Sequence, residues 1–570
     1  MSRLVIDPVT RIEGHLRIEA QLEGGQVADS WSSGTMFRGI ELILRGRDPR
    51  EAWIWAQRIC GVCTTVHALA SVRSVENALG IEIPDNARLI RNIIAGTQNV
   101  QDHVIHFYHL HALDWVDVTG ALKADPAKTS ALAESISPWP KSSRNYFKSV
   151  QDKVKALVDS GQISLFTGGY WGHPAYHLPP EADLMAVAHY LEALEFQREF
   201  IRIHAVLGGK NPHLQTYLVG GMAAVVDPNE PGATVNDERI TLLTELAGKA
   251  QAFVEQVYIP DVLAIAGFYK DWFGRGEGLG NFMSYGDYPT GSLKNTADYF
   301  LPRGLILNHD LSKVNPVDPL KVSEAVAHSY YNYSDGNEAV KHPWQGETNP
   351  NYTGPTPPFD QLNVEQKYSW LKSPRYDGMP VEVGPLSRML VAYASGHAEV
   401  KALVDGALAK LGAPPTALFS TLGRVAARAL EAQLLSRHLV GWVNQLGDNM
   451  GRGNLKIHNG DMWDPSTWPK TAQGFGFHEA PRGSLGHWVE IEDQKIKNYQ
   501  AVVPTTWNAG PRDAKGQRGA YEMSLMKTPI ADPNRPLEIL RTIHSFDPCL
   551  ACAVHVVDAR GRNINPRRFR

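Results

Sequence analysis

The sequence predicts an α+β fold, with a central bundle of long helices and β-rich segments from both ends converging on a buried metal site. Polar and apolar residues alternate near the N-terminus, whereas apolar residues recur every three or four positions through the middle of the chain. Strand- and turn-like sequence returns after residue 478. Two cysteine pairs, one near each end, require the two ends to meet.

The first 35 residues are predicted to be β structure. His15–Leu22 alternates polar and apolar side chains, and Gly24-Gly25 supplies a turn into a second strand at Gln26–Trp31. From Glu51 onward the pattern becomes helical.

The central helices show clear start and stop signals. Pro84-Asp85 predicts a helix start, and Gly208-Gly209 predicts the end of a long helix over Glu181–Leu207. The apolar positions that follow Pro84 at helical spacing, with one threonine, are Ile90, Ile93, Thr97, Val100, Val104 and Phe107.

The second half of the chain begins with loops. Residues 267–358 are rich in Gly, Pro, Asn, Asp and Tyr, which is typical of loops with short elements. Helical pattern returns at Leu386–Leu411 and Leu418–Leu446, and residues 478–570 are predicted to be strands and turns. The clearest strand candidates there are His487–Ile491 and Tyr499–Val503.

Composition is that of a soluble globular protein. The 570 residues carry a formal net charge of -4, which gives no indication of nucleic-acid binding. No run approaches the roughly 18 apolar residues that span a bilayer. The N-terminus lacks the apolar core and cleavage site of a secretory signal, so the chain itself is expected to be cytoplasmic unless a partner carries a signal.

All four cysteines lie in two CxxC pairs, Cys60/Cys63 and Cys549/Cys552. Two intervening residues allow both sulfurs of a pair to reach one metal ion, and thiolates favour zinc, nickel or iron. We therefore expect the two distant pairs to share one metal.

Spacing alone leaves structural zinc and a redox metal as alternatives. Four thiolates are the commonest structural zinc site, although such pairs usually lie within one small module. The flanking residues Arg58, His67, Asp547 and His555 are charged or titratable, which favours proton-coupled redox chemistry.

Both cysteine motifs, Arg58-Ile-Cys-Gly-Val-Cys63 and Asp547-Pro-Cys-Leu-Ala-Cys-Ala-Val-His555, resemble those of the large, catalytic subunit of nickel–iron hydrogenases. The resemblance spans nearly the whole chain and favours the membrane-bound, respiratory uptake class. Further matching motifs, in the family's order, are Arg11-Ile-Glu-Gly-His15, Phe37-Arg-Gly-Ile-Glu41, Gly208-Gly-Lys-Asn-Pro-His213, Glu382-Val-Gly-Pro-Leu386 and Glu479-Ala-Pro-Arg-Gly483.

The resemblance implies a nickel–iron centre and reversible cleavage of H2 into protons and electrons. Cys60 and Cys549 would be terminal nickel ligands, and Cys63 and Cys552 would bridge nickel to an iron that carries carbon monoxide and cyanide. Cys549 would also be the base that accepts a proton.

Other roles follow from the same resemblance. Arg482 would lie over the open face of the metals, held there by Asp102 and Asp547. Glu13 would relay protons outward. His67 would hydrogen-bond a sulfur, and the hydroxyl of Thr505 would lie near a cyanide ligand.

A second cation is implied near the C-terminus. Glu41, the backbone carbonyl of Ala501 and His555 would bind magnesium or iron, with waters completing the coordination. Many relatives have a bulkier aliphatic residue at the position of Ala501, which matters little for a backbone ligand.

Four histidines at 103, 106, 109 and 111 offer another conceivable metal site. We favour packing and hydrogen bonding instead.

The resemblance also implies processing of the C-terminus. Residues 556–570 contain five arginines and one aspartate, and a maturation endopeptidase would remove them after His555 once nickel is inserted. The mature chain would be a single domain of residues 1–555.

This chain has no cysteines left for an electron path, so the resemblance implies an iron–sulfur small subunit. A twin-arginine signal on that subunit would export the pair to the periplasmic face of the membrane, where a cytochrome b could accept electrons. Nickel and iron insertion chaperones are also implied. The alternative functions are a structural-zinc scaffold and an inactive hydrogenase-like subunit.

Overall fold

The computed structural model describes residues 2–161, 166, 169–355 and 361–553, excluding the side chains of residues 552 and 553. The β-strands are β1 Ser2–Ile6, β2 Leu16–Glu23, β3 Gln26–Gly34, β4 Tyr217–Leu218, β5 Gly221–Met222, β6 Phe282–Ser284, β7 Asp287–Pro289, β8 Tyr299–Leu301, β9 Gly304–Ile306, β10 Val322–Ala325, β11 Val340–Lys341, β12 Ser373–Tyr376, β13 Thr471–Ala480, β14 Gly483–Glu492 and β15 Lys495–Val502.

The α-helices are α1 Ile40–Leu44, α2 Ala52–Ala56, α3 Val66–Leu79, α4 Asp85–Ile105, α5 Pro126–Ile136, α6 Arg144–Asp159, α7 Pro180–Phe200, α8 Arg202–Gly208, α9 Asp237–Phe253, α10 Ile259–Phe268, α11 Pro385–Ala394, α12 Ala398–Leu411, α13 Thr421–Gly451, α14 Pro504–Ala509, α15 Ala520–Ser524, α16 Leu537–Ser545 and α17 Leu550–Ala553. Within the described residues, no helix is both long and apolar enough to cross a bilayer.

The predicted α+β architecture is confirmed. Strands β1, β2 and β3 form an antiparallel sheet, with Gly24-Gly25 as the turn between β2 and β3. Helices α4 and α13 pack together at the centre, where α7 and α9 join them. A second antiparallel sheet, β13–β14–β15, lies near the C-terminal end.

Helix α3 lies directly on the β13–β14 hairpin, and two glycines of β13 permit this. A Cβ on Gly476 would overlap the Ala70 carbonyl oxygen, and one on Gly474 would overlap that of Ser74. The helix that begins just after Cys63 is thereby fixed on the sheet.

Two helix predictions need correction. Leu386–Leu411 is two helices, because Gly396 takes a left-handed conformation at φ +82° and His397 caps α12 through its side chain. Glu181–Leu207 is also interrupted, at Ile201 between α7 and α8.

The prediction of strands and turns over residues 478–570 is wrong where helices follow β15, within the described residues up to 553. His487–Ile491 lies in β14 as expected, but α14, α15, α16 and α17 follow Val502. In α16, Ile539, Leu540 and Ile543 recur at helical spacing and pack against the N-terminal sheet. This apolar contact brings the C-terminal segment to the N-terminal one.

Candidate metal centre

Three described cysteines lie together in the interior. The Sγ atom of Cys549 is 3.5 Å from that of Cys60 and 4.0 Å from that of Cys63. All three side chains are buried and none forms a disulfide. Two sulfurs bound tetrahedrally to one ion, each at about 2.3 Å, would be roughly 3.8 Å apart, so the spacing fits a shared metal. The side chain of Cys552, the fourth predicted ligand, lies outside the described residues.

Local structure explains how these cysteines meet. Cys60 and Cys63 flank a short loop that leads into α3, and the Cys63 amide donates to Cys60 Sγ at 3.4 Å. Cys549 reaches them because Glu13 and Cys549 form a parallel β-bridge, in which the Leu550 amide donates to the Glu13 carbonyl at 2.8 Å. The N-terminal segment thus positions the C-terminal cysteine.

A small cavity adjoins the sulfurs. Its lining residues are Cys63, Val66, His67, Ala480, Arg482, Leu485, Val503, Pro504, Thr505 and Cys549. The Cys549 amide donates to Thr505 Oγ1 at 3.1 Å, so this threonine also fixes the cysteine loop. A closed structural zinc site has no open position, whereas a catalytic metal site keeps one. The three sulfurs fit a shared metal, and the narrow cavity beside them leaves a position that no protein atom fills.

Arg482 lies beside the sulfurs and is almost fully buried. Its guanidinium binds Asp102 at 3.1 Å and Asp547 at 3.0 Å, and its Nε donates to the Asp547 carbonyl at 3.1 Å. Burial alone would lower the pKa of Arg482, but Asp547, Cys549 and Asp102 raise it, so the group stays cationic. The predicted grouping of Arg482, Asp102 and Asp547 is what the structure contains.

Asp102 experiences opposing effects. Burial raises the pKa of Asp102 to about 7, because desolvation together with Asp547 and Cys60 outweighs the attraction of Arg482. The Asp102 carboxyl therefore gains and loses its proton close to neutral pH.

Glu13 contacts the cysteine site directly. Cys549 Sγ lies 3.1 Å from Glu13 Oε2, which also accepts a hydrogen bond from the Ala551 amide at 2.9 Å. Burial raises the pKa of Glu13, and the nearby Cys60 raises it further. A carboxyl group in this position can exchange a proton with the sulfur.

Comparison with known proteins gives the family. A nickel-dependent hydrogenase model matches residues 38–555, and a HoxL-like model matches residues 3–32. The chain belongs to the nickel-dependent hydrogenase family. It is 53% identical to the uptake hydrogenase large subunit of Rhizobium leguminosarum bv. viciae, over 99% of this chain and 96% of that protein. It is 50% identical to the Hydrogenase-1 large chain of Escherichia coli strain K12, with the same coverage.

A solved structure supports the same family. The NiFeSe hydrogenase of Desulfovibrio vulgaris Hildenborough, in the as-isolated oxidised state, matches with a TM-score of 0.75 at 34% identity, over 97% of this chain and 100% of that one. This chain is therefore the large subunit of a hydrogenase with a nickel and iron site, and it works with a small subunit. The scaffold and inactive-subunit alternatives are not favoured.

The predicted second cation site of this hydrogenase is only partly described. Glu41 is buried, and its Oε1 accepts a hydrogen bond from the Ala501 amide at 3.0 Å, while its Oε2 accepts one from Thr348. His555 lies outside the described residues. The structure thus brings Glu41 and Ala501 together.

Three of the four histidines of the run from 103 to 111 form hydrogen bonds with backbone carbonyls, and His103 lies 3.5 Å from the Glu431 carboxylate. Burial lowers the pKa of each, so they are neutral near pH 7. Their partners are Glu431 for His103, the His544 carbonyl for His106, the Tyr190 carbonyl for His109 and the Arg541 carbonyl for His111. Among the described residues, the group arranged as metal ligands is Cys60, Cys63 and Cys549.

Sequence reasoning missed the side chains that fix the turn between β13 and β14, on which Arg482 lies. Glu479 accepts hydrogen bonds from the Tyr285 amide and the Ser484 hydroxyl, both at 2.6 Å, and pairs with Arg388 at 3.0 Å. Its place at the head of the Glu479–Gly483 motif was an available signal.

Arg428 of α13 was missed as well. It donates to the Pro481 carbonyl at 3.0 Å and to the Phe546 carbonyl at 2.9 Å. These bonds tie the turn between β13 and β14, which carries Arg482, to the segment that carries Asp547. An arginine within a helix gives no sequence signal for this role.

Proposed function

We propose that this subunit oxidises dihydrogen at a nickel–iron centre held by Cys60, Cys63, Cys549 and Cys552, and that Glu13 takes the proton from Cys549. The observation that carries the proton route is the 3.1 Å separation between Cys549 Sγ and Glu13 Oε2. When bound, the metal pair supplies the electron acceptor for the splitting of H2 into two protons and two electrons.

The protein residues supply the proton chemistry. Cys549 Sγ is placed to accept a proton, and Glu13 Oε2 lies within hydrogen-bond reach to receive it. The Ala551 amide holds that oxygen toward the sulfur. Rotation of the protonated carboxyl would then carry the proton away from the site.

Arg482 is proposed to act on the open face of the centre. Its two carboxylate partners, Asp102 and Asp547, fix the plane of the guanidinium. The cation would polarise dihydrogen or hydrogen-bond a diatomic ligand. The adjoining cavity is lined by apolar side chains and by the polar groups of Thr505, His67 and Arg482, which would suit the carbon monoxide and cyanide ligands of the iron.

A second cation, magnesium or iron, is proposed at Glu41, the Ala501 carbonyl and His555. The support is the buried carboxylate of Glu41, which is already held against Ala501. A carboxylate and a backbone carbonyl are suitable oxygen ligands for magnesium.

We propose that the small subunit carries iron–sulfur clusters and docks near the first cysteine pair. Three large apolar side chains are exposed there, Ile54 at 39%, Trp55 at 37% and Val62 at 40%. Val62 lies between Cys60 and Cys63, so a cluster docked on this face would lie close to the metals. Co-export with that subunit would place the pair at the periplasmic side of the membrane, where a cytochrome b would accept electrons.

Maturation is proposed to remove residues 556–570 after His555, leaving one domain of residues 1–555. The family match also ends at residue 555. An endopeptidase and metal-insertion chaperones would act on the precursor. The intact mass of the active subunit tests this, and an active enzyme that retains Arg570 would contradict it.

The proton route is tested with Glu13→Gln in the purified heterodimer. The amide keeps the shape of the side chain but cannot relay a proton, so H2 oxidation should fall about a hundredfold or more. Nickel content and the infrared bands of iron-bound carbon monoxide and cyanide should remain. Glu238→Gln, at an exposed position, is the control. Wild-type turnover in Glu13→Gln would contradict the route, and zinc in place of nickel in the wild type would contradict the function.

A further inference from the structure

A chain of hydrogen bonds leads from the cysteine site into the sheet. His67 Nδ1 lies 3.0 Å from His487 Nε2, His487 Nδ1 lies 2.6 Å from the Tyr499 hydroxyl, and that hydroxyl lies 2.9 Å from Ser71 Oγ. All four residues are at most 1% exposed. Bulk water therefore does not compete for these hydrogen bonds.

The fold places these groups at fixed positions. His67 and Ser71 lie one turn apart on α3, while His487 and Tyr499 project from the neighbouring strands β14 and β15. The close approach of α3 to the sheet, which Gly474 and Gly476 permit, keeps the four groups within bonding distance.

With both imidazoles neutral, the protons in this series of hydrogen bonds all point the same way. A neutral imidazole has one N–H and one bare nitrogen, so a histidine that donates at one nitrogen accepts at the other. Burial raises the pKa of Tyr499, so its hydroxyl keeps its proton and can donate it. Either every proton points outward to Ser71, or every proton points inward to His67.

The cysteines next to His67 favour the arrangement in which every proton points inward, toward His67. His67 lines the cavity beside the sulfurs of Cys63 and Cys549. Thiolates bound to a metal accept hydrogen bonds and cannot donate them. Because Nδ1 of His67 is engaged by His487, Nε2 is the ring nitrogen left to donate to these sulfurs, and it can do so only as an N–H.

We propose that His487 and Tyr499 are positioning residues that fix the tautomer of His67, so that its Nε2–H is presented to the thiolate ligands. Tyr499 donates to His487 Nδ1, which leaves the proton of His487 on Nε2, from where it is donated to His67 Nδ1. The His67 proton then lies on Nε2. Neither His487 nor Tyr499 lines the cavity beside the sulfurs.

The expected consequence is electronic, because a hydrogen bond to a thiolate withdraws electron density from the metal that the thiolate binds. Iron with less electron density gives less to its carbon monoxide and cyanide ligands, whose stretching bands then lie at higher wavenumber. Loss of this series of hydrogen bonds should shift those bands to lower wavenumber. This inference rests on the proposed nickel–iron centre.

The test is infrared spectroscopy of the purified heterodimer with Tyr499→Phe. Phenylalanine keeps the ring and removes the proton donated to His487. We expect both sets of bands at lower wavenumber than in the wild type, with unchanged nickel and iron content. The reduction potential of the centre should shift in the negative direction. Ser71→Ala, a milder change, removes the hydroxyl that donates to Tyr499 in the inward arrangement, and it should shift the bands in the same direction but less.

Tyr269→Phe is the matched control, because it removes a buried hydroxyl that donates to the Trp115 carbonyl at 2.7 Å, among the helices. Its bands should coincide with those of the wild type. Unshifted bands in Tyr499→Phe and Ser71→Ala, or an equal shift in Tyr269→Phe, would overturn the positioning role alone. A wild-type enzyme without such bands would overturn the proposed centre and this inference together.

Discussion

Gly14 and Ala551 lie so close that a Cβ on Gly14 would stand 2.5 Å from the Ala551 amide nitrogen. Gly14 also has φ +83°, a conformation that glycine adopts without strain. The backbone segments that carry Glu13 and Cys549 therefore meet at a point where a side chain has no room.

Gly14→Ala should separate these segments. The added methyl group overlaps the Cys549 segment, so the cysteines should fail to close around the metals and most of the nickel should be lost. Nickel per subunit, measured by elemental analysis of the purified heterodimer, checks this.

The matched control is Gly80→Ala, at φ +70° with no neighbouring atom within 4 Å of the new Cβ. It should cost only the backbone strain, about 1–2 kcal/mol, and retain nickel. Full nickel occupancy in Gly14→Ala would show that the close contact does not control closure.

Arg482→Lys should reduce H2 oxidation while leaving the fold intact. An ammonium group cannot bind Asp102 and Asp547 together in one plane as the guanidinium does. Loss of one charge-assisted hydrogen bond, about 1.5–3 kcal/mol, corresponds to a loss of about ten- to a hundredfold in rate. Steady-state kinetics with metal analysis checks this. Arg50→Lys, at a partly exposed pair with Asp48, should keep the wild-type rate, and equal rates for both variants would contradict the role of Arg482.

The sequence predicted the residues of the site better than the distant contacts that hold them in place. The cysteines, Arg482 and Glu13 stand in short motifs, and the chemistry of those side chains limits what they can do. Arg428, by contrast, acts through two backbone carbonyls that are distant in sequence, and no local pattern shows such contacts.

The fold errors have a similar physical origin. The strand prediction after Val502 overlooked the helical spacing of Ile539, Leu540 and Ile543, whose apolar face is buried against the N-terminal sheet. Gly396 divides a helical pattern because its backbone is left-handed, and composition alone does not show that conformation. Packing against a sheet that is distant in sequence decided the first case, and a local left-handed turn decided the second.

The buried carboxyl group of Asp183 predicts how the stability of the fold depends on pH. Burial raises the pKa of Asp183 to about 8, so the folded state retains a proton that the unfolded state loses above about pH 4. Stability should therefore fall as pH rises from 4 to 8. Asp183→Asn keeps the acceptor for the Asp117 amide and removes this titration. Relative to the wild type, it should gain roughly 3–4 kcal/mol between pH 5 and pH 8.

Denaturant unfolding of both proteins at the two pH values measures this difference. The exposed Asp461→Asn should show the same pH dependence as the wild type. Parallel pH profiles for Asp183→Asn and the wild type would mean that Asp183 is ionised in the folded protein at neutral pH.

Gly476→Ala tests the contact between α3 and the sheet. The new Cβ would overlap the Ala70 carbonyl oxygen, and backbone atoms cannot turn aside as a flexible side chain can. Overpacking of a core costs about 1–3 kcal/mol, and a clash with backbone belongs at the upper end of that range. Because α3 begins shortly after Cys63, displacement of the helix should also lower nickel occupancy.

The matched variant is Gly441→Ala on α13, which meets no neighbouring atom within 4 Å and should stabilise the helix by about 1 kcal/mol. Unfolding midpoints and nickel content distinguish the two, and a Gly476→Ala protein as stable as Gly441→Ala would show that α3 can move away from the sheet at no cost.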